Sequence, residues 1–194
     1  RNIPLYVYEE LPGDINKDFS TRHDILYVGG FGHPPNEDAV IWFAKEIFPR
    51  ILEKYPDMKW HVVGSKPTET ILGLADDHII IEGYKSDEEL DKLYRECRIA
   101  VVPLRYGAGV KGKVIEGAYY QIPLVTTPIG AEGIPYEDGI FAIEEKASKM
   151  AEKICCLYED FDELHRMSDR ERELIRRDYM VETAERILSL DMEI

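Results

Sequence analysis

The stretch Gly107–Glu116 reads GAGVKGKVIE, with three glycines and two lysines ahead of an apolar turn that carries one acid. It closes a longer segment, Cys97–Ile115, that holds Arg98, Arg105, Lys111 and Lys113 and no Asp or Glu. The chain as a whole has 38 acidic against 24 basic residues, so an acid-free window of this length is unusual for it. Glycines let a ligand approach the backbone, and lysines at a helix N-terminus add their charge to the free amides and the helix dipole. Arg105, Gly109, Lys111 and Lys113 are therefore the candidate grip for a diphosphate, with Lys111 and Lys113 best placed to stabilise charge that builds on a leaving phosphate. The bland alternative is a solvated charge run.

Glu116 follows Lys113 by three residues, between the apolar Val114, Ile115 and Ala118. On the inner first turn of that helix its carboxylate can accept hydrogen bonds from vicinal sugar hydroxyls, or can simply be an acid favoured by the helix dipole. A second glycine-rich turn, VGGFGHPPN, places Gly29, Gly30 and Phe31 just after an apolar run. It lacks the third glycine of the G-x-G-x-x-G fingerprint and is not a P-loop, so it reads as a backbone approach for phosphate or as a flexible loop. A third segment, TTPIGAEGI, brings Thr127 and Gly130 behind another apolar run, as part of a sugar pocket or as a tight turn. His61 and His78 fall in strand-like runs as structural histidines, and no histidine or cysteine has metal-ligand spacing.

These residues need a scaffold that gathers them. Apolar runs at 24–28, 59–63, 78–81, 98–102, 122–126 and 139–143 are rich in Ile and Val, the composition of strands covered on both faces. Helical patterns separate them. Asn36 is the expected cap of a helix over about 37–55, Thr68 caps 69–74, and Ser86-Asp87-Glu88-Glu89 is a capping box opening a helix over 87–96. A helix runs from Lys111 or Gly112 through Tyr120, and helices over 148–158, 161–177 and 181–190 form a tail, with Ile154, Leu157, Phe161 and Leu164 as its core stripe. Alternating strands and helices predict an α/β fold, a Rossmann-like parallel sheet of about six strands with helices on both faces and a helical C-terminal tail. Ligands of such sheets sit beyond the carboxyl ends of the strands, which is where all three glycine-bearing turns fall.

The 194 residues and 44% hydrophobic content suit one core. A net charge of −14 argues against a nucleic-acid surface but not against a small anion held by a local field. Three cysteines, two of them adjacent, make a poor disulfide framework and suit a reducing compartment. The opening RNIPLYVYEELPGD has neither a signal core nor an initiating Met and reads as the middle of a longer polypeptide. Residues 1–23 are therefore expected to be a lead-in from an upstream domain, and 24–194 the binding domain.

Taken in order, ILYVGGFGHPPNEDAVIWFAKEIFPRI, WHVVGSKPTETI and IIIEGYKSDEELDKLYRECRIAVVPLRYGAGVKGKVIEGAYYQIPLVTTPIGAEGI resemble the C-terminal domain of group 1 glycosyltransferases, retaining enzymes of GT-B fold. The resemblance covers about residues 24–145. It implies a domain that binds a nucleoside-diphosphate sugar as substrate, with no cofactor and no metal. It also implies an N-terminal acceptor domain on the same polypeptide, and a glycan or lipid-linked acceptor. The setting it implies is cytoplasmic, at the inner face of the membrane through the other half, in polysaccharide or cell-surface glycan synthesis. Carried over by position, Gly30 and its neighbours approach the donor phosphates, Lys111 and Lys113 neutralise the diphosphate, Glu116 holds the ribose, and Gly83, Tyr84 and Leu104 lie near the base. The chain departs from the family pattern at Ala108, where the first acid of the Glu-x7-Glu motif is missing, and in FGHPPNEDAV, which lacks the usual Arg and Lys pair. The alternatives are a sugar-nucleotide epimerase domain and a non-catalytic nucleotide-sugar-binding or receiver-like module. A receiver is disfavoured because VGGFGH stands where its acidic pair belongs.

Overall fold

The computed structural model describes residues 7–13, 15, 17–136 and 139–192. Six parallel strands form one sheet: β1 (His23–Val28), β2 (Trp60–Val63), β3 (Ile79–Gly83), β4 (Cys97–Val102), β5 (Leu124–Thr126) and β6 (Ala142–Ile143). Their order across the sheet is β3-β2-β1-β4-β5-β6. The chain builds outward from β1 on one side, then returns to add β4 on the other. β1 and β4 thus flank a topological switch point, and a crevice opens beyond their carboxyl ends.

The apolar runs form strands because both faces are covered. Ile25, Leu26, Ile99, Val101, Leu124 and Val125 are fully buried. The helices are α1 (Pro34–Trp42), which continues through a π-helical turn at Phe43–Ile47 into α2 (Phe48–Leu52), then α3 (Glu69–Leu72), α4 (Asp87–Glu96), α5 (Gly112–Tyr119), α6 (Ala147–Leu157), α7 (Phe161–Asp178) and α8 (Val181–Met192). Phe43 and Phe48 pack their rings 4.5 and 5.8 Å from Trp60 of β2, fixing this first helical unit on one face of the sheet.

Several elements depart from the sequence expectation, and three of the departures have a local reason. The helix expected over 37–55 begins at Pro34, whose fixed φ suits a first helical position, and His33 precedes it in extended conformation. Asn36 therefore lies inside the helix and is not its cap. Pro49 offers no N–H, and just before it the Phe48 amide reaches back five residues to the Phe43 carbonyl, which is the π turn. In β3, the Asp76 carboxylate accepts from the amides of His78 and Ile79 at 2.8 and 2.6 Å, holding His78 in a turn so that the strand starts one residue late. The expected caps form elsewhere: Ser86 and Glu89 make the reciprocal capping box, and Thr68 accepts from the Ile71 amide.

Packing does not stop at residue 24. Phe19 and Arg22 are buried, and Tyr8 pairs with Met180 through Tyr8 N to Tyr179 O at 2.8 Å and Val181 N to Tyr8 O at 3.0 Å. The lead-in is thereby stitched to the start of α8. In the tail, Ile154, Leu157 and Leu164 are buried as expected, but Phe161 is 38% exposed and lies 5.3 Å beneath the Arg98 guanidinium.

Candidate functional site in the crevice between β1 and β4

The β1 side of the crevice is built from glycines in close contact. The Gly29 amide donates to Val63 O at 2.8 Å and the Phe31 amide to Ser65 O at 3.0 Å, so the loop follows the end of β2. A methyl group on Gly64 would stand 2.1 Å from the Gly29 carbonyl oxygen. One on Gly29 would stand 2.3 Å from Lys113 Nζ. The need for glycine is here a matter of approach distance, and Gly30 is the more open of the pair, with Ser65 Oγ 3.2 Å from the same hypothetical atom. Phe31 turns inward and is 4% exposed, so it offers a ligand only its backbone.

The other side is the start of α5. Lys111 precedes the helix in extended conformation, and its side chain makes no capping bond to the first amides. Lys113, in the first turn, reaches across to β1 and α1. Its ammonium lies 3.0 Å from the Tyr27 hydroxyl, 2.6 Å from Asn36 Oδ1 and 4.6 Å from the Tyr27 ring centroid. Burial lowers its pKa to about 7; Glu116 opposes that shift and Lys111 adds to it. Glu116, one turn further on, is partly buried. Burial raises its pKa and a hydrogen bond from the Tyr94 hydroxyl holds it down, with Asp87 and Lys113 as smaller opposing charges. Lys113 and Glu116 open with Gly112, Tyr119, Tyr120 and Tyr8 onto a cavity of about 410 Å³.

The cations of the acid-free segment do not form one uncompensated field. Arg105 makes a two-pronged pair with Asp38 of α1, Nε to Oδ2 at 2.9 Å, and its guanidinium lies 5.4 Å from the Trp42 ring. Lys111 folds back on the Gly109 carbonyl and meets Glu132 at 3.3 Å. Arg98 sits at the opposite end of β4, donating to Arg22 O at 2.8 Å and stacking 4.1 Å from Tyr158. The segment lacks acids of its own, but α1 and the loop after β5 bring them. Among these cations Lys113 differs in that its hydrogen-bond partners are a phenol and an amide.

The remaining sequence candidates divide. Tyr84 is 77% exposed beside Gly83, which has φ +68° and whose carbonyl accepts from the Gly64 amide at 2.8 Å. Gly109, also at positive φ, is exposed in the loop before α5. Leu104 is 2% exposed and has its carbonyl taken by the Thr127 hydroxyl. That hydroxyl also accepts from the Gly130 amide at 3.1 Å, and a methyl on Gly130 would stand 2.0 Å from Thr126 Oγ1. Thr127 and Gly130 thus build the turn that braces Leu104, and the Thr127 hydroxyl is spent inside the protein. Sequence reading missed Asn36, Tyr27 and Tyr94 as site-builders. The available signal was Asn36 itself, a residue that weakens a helix interior unless its side chain has a partner.

A Gly-rich turn after β1, a helix start after β4 and an acid one turn in all lie at the switch point of a 3-2-1-4-5-6 sheet, the layout of a Rossmann-type half. The chain belongs to the glycosyl transferases group 1 family, which it matches over residues 22–160. It is 30% identical over 117 residues to a Klebsiella pneumoniae protein described as "Uncharacterized 44.6 kDa protein in cps region", a match covering 57% of this chain and 30% of that one. The fold superimposes on an S. aureus TarM variant solved with fondaparinux, alpha-GlcNAc-glycerol and UDP, at TM-score 0.76 and 18% identity over 98% of this chain and 39% of TarM. It is also similar to the C-terminal domain of LpcC, a group 1 family protein from Francisella tularensis, at TM-score 0.65 and 19% identity over 91% of this chain and 96% of that domain. The chain spans well under half the length of the Klebsiella protein and of TarM. Among the described residues no helix is long and apolar enough to cross a membrane.

Proposed function

We propose that this domain is the donor-binding half of a glycosyltransferase and holds a nucleoside-diphosphate sugar at the β1/β4 crevice. The observation that carries this is Lys113, an amine with no bonded carboxylate among the described residues, set between the Gly29–Gly30 turn and the start of α5, with Glu116 beside it. The glycine turn and the α5 amides receive the diphosphate, Lys113 supplies charge, and Glu116 accepts from the ribose hydroxyls. Tyr84 and Gly83 border the base, and Leu104 contributes its buried packing there. Arg105 and Lys111 act through their fields, each partly neutralised by its carboxylate.

In the reaction the bond between the sugar's anomeric carbon and the distal phosphate oxygen breaks, and that carbon bonds to an acceptor hydroxyl oxygen. The acceptor proton leaves on the departing diphosphate. An upstream domain of the same polypeptide presents a glycan or lipid-linked acceptor, and the isolated chain binds the nucleotide weakly and does not turn over. The UDP in the TarM structure supports a nucleoside diphosphate as ligand. The cps-region relative supports polysaccharide or cell-surface glycan synthesis as the setting.

Calorimetric titration of the chain with UDP, GDP and dTDP tests the site. One of the three is expected to bind, and Lys113→Ala is expected to weaken it about tenfold or more, the scale of a lost charge-assisted hydrogen bond. Equal affinity in Lys113→Ala would remove the phosphate site.

A further inference from the structure

Asn36 joins the two sides of the crevice. It lies in the first turn of α1 and is 9% exposed. Its Nδ2 donates to the Gly30 carbonyl at 2.7 Å, and its Oδ1 accepts from Lys113 Nζ at 2.6 Å. One amide thus ties the glycine turn after β1, the helix α1 and the first turn of α5. The space is tight: a methyl on Gly29 would meet Lys113 Nζ, the Tyr27 hydroxyl and Asn36 Cγ within 3.2 Å.

Building on the donor-binding reading, we infer that Asn36 is the positioning residue of the diphosphate site: it holds the Gly30 turn and Lys113 at one spacing, and as a neutral acceptor it leaves the Lys113 charge to the incoming diphosphate. The neighbouring cations show the alternative. Arg105 and Lys111 each meet a carboxylate, Asp38 and Glu132, and that charge is answered within the protein. An amide at position 36 gives Lys113 the same directional hydrogen bond without a counter-charge. The titratable groups facing Lys113 are Tyr27 from β1 and Glu116 and Lys111 from α5 and its leading residue; α1 contributes the amide. Burial favours the neutral amine, drawing its pKa to about 7, and a diphosphate brings the negative charge that reverses this. Binding therefore takes up a proton from solvent at Lys113 Nζ, and affinity rises as pH falls from 9 to 7.

The test is calorimetric titration of the 194-residue chain with UDP, GDP and dTDP and with inorganic pyrophosphate at pH 7, 8 and 9, in two buffers of different ionisation enthalpy. The wild type is expected to take up protons and to bind more tightly at pH 7 than at pH 9. Asn36→Ala is expected to bind about tenfold more weakly, with the rise in affinity moved to lower pH. Asn36→Asp is expected to bind more weakly still, with the rise and the proton uptake gone, because a carboxylate keeps Lys113 charged in the empty site. If both variants instead keep the wild-type pH profile and proton uptake, with affinity unchanged or lowered by one factor at every pH, Asn36 is only a structural residue and the inference falls while the donor site stands. If the wild type binds none of these probes, the donor-binding reading falls and takes this inference with it.

Discussion

β1 lies between two polar clusters that answer charge in opposite ways. Toward β4, Lys113 rests on Tyr27 and Asn36, and its charged form is disfavoured. Toward β2 and β3, His61 is bracketed by Glu82 at 2.8 Å and Asp24 at 3.6 Å, and its charged form is favoured, Asp24 being the larger cause. His23 and Lys85 extend that second cluster, at 2.7 Å from Asp24 and 3.0 Å from Glu82. Both clusters are partly buried, so burial alone does not separate them. The difference is whether the counter-charge is built in. A cluster that neutralises itself holds the sheet together; one that withholds the anion is set to receive one.

The sharpest way to break this contrast is to displace the glycine turn against which Lys113 packs. Gly64→Ala sets a methyl 2.1 Å from a backbone oxygen of the glycine turn, which cannot rotate away. It is expected to destabilise the fold by about 3 kcal/mol, the upper range for overpacking, and to abolish UDP binding. Urea unfolding should show a lower midpoint with an unchanged slope.

A smaller effect is expected from pH, with opposite signs at the two clusters. The folded pKa of Lys113 is lowered to about 7, so the unfolded state holds its proton more tightly and the penalty is relieved as pH rises from 7 toward 10. The folded pKa of His61 is raised, so its stabilisation is complete below the unfolded value near 6.5 and is lost as pH rises through the folded value. Relative to Lys113→Met, the wild type should gain stability between pH 7 and 10. Relative to His61→Gln, it should lose stability on passing upward from pH 6. Parallel slopes in chemical denaturation would remove the distinction drawn between the clusters.

The smallest effect serves as the control. Asp160→Ala removes the side-chain cap of α7, whose carboxylate accepts from the Glu163 amide at 3.0 Å with no tie to Lys113 or Glu116, and should cost about 1 kcal/mol in thermal or urea unfolding, with UDP affinity and its pH profile unchanged. A shift in that profile would show that general loosening, rather than local charge, governs the crevice.

What could be read from the sequence was local. Six apolar runs, the capping box at Ser86 and the glycine turns after strands follow from rules that act over a few residues, and strand order narrows to a few choices once crossovers are right-handed. Boundaries slipped where a side chain intervened, as Asp76 did at β3 and Pro34 at α1. The partners of the site cations were not legible. The acid-free segment looked like a block of free charge, yet Arg105 met an acid 67 residues away and Lys111 one 21 residues away. Lys113 met an amide 77 and a phenol 86 residues away. Residue type and spacing determined which groups could bind an anion. Only the folding of β1 against β4 decided which of them was left without a carboxylate, because the electrostatic state of an ion depends on what the sheet order brings within a few ångströms and not on its neighbours along the chain.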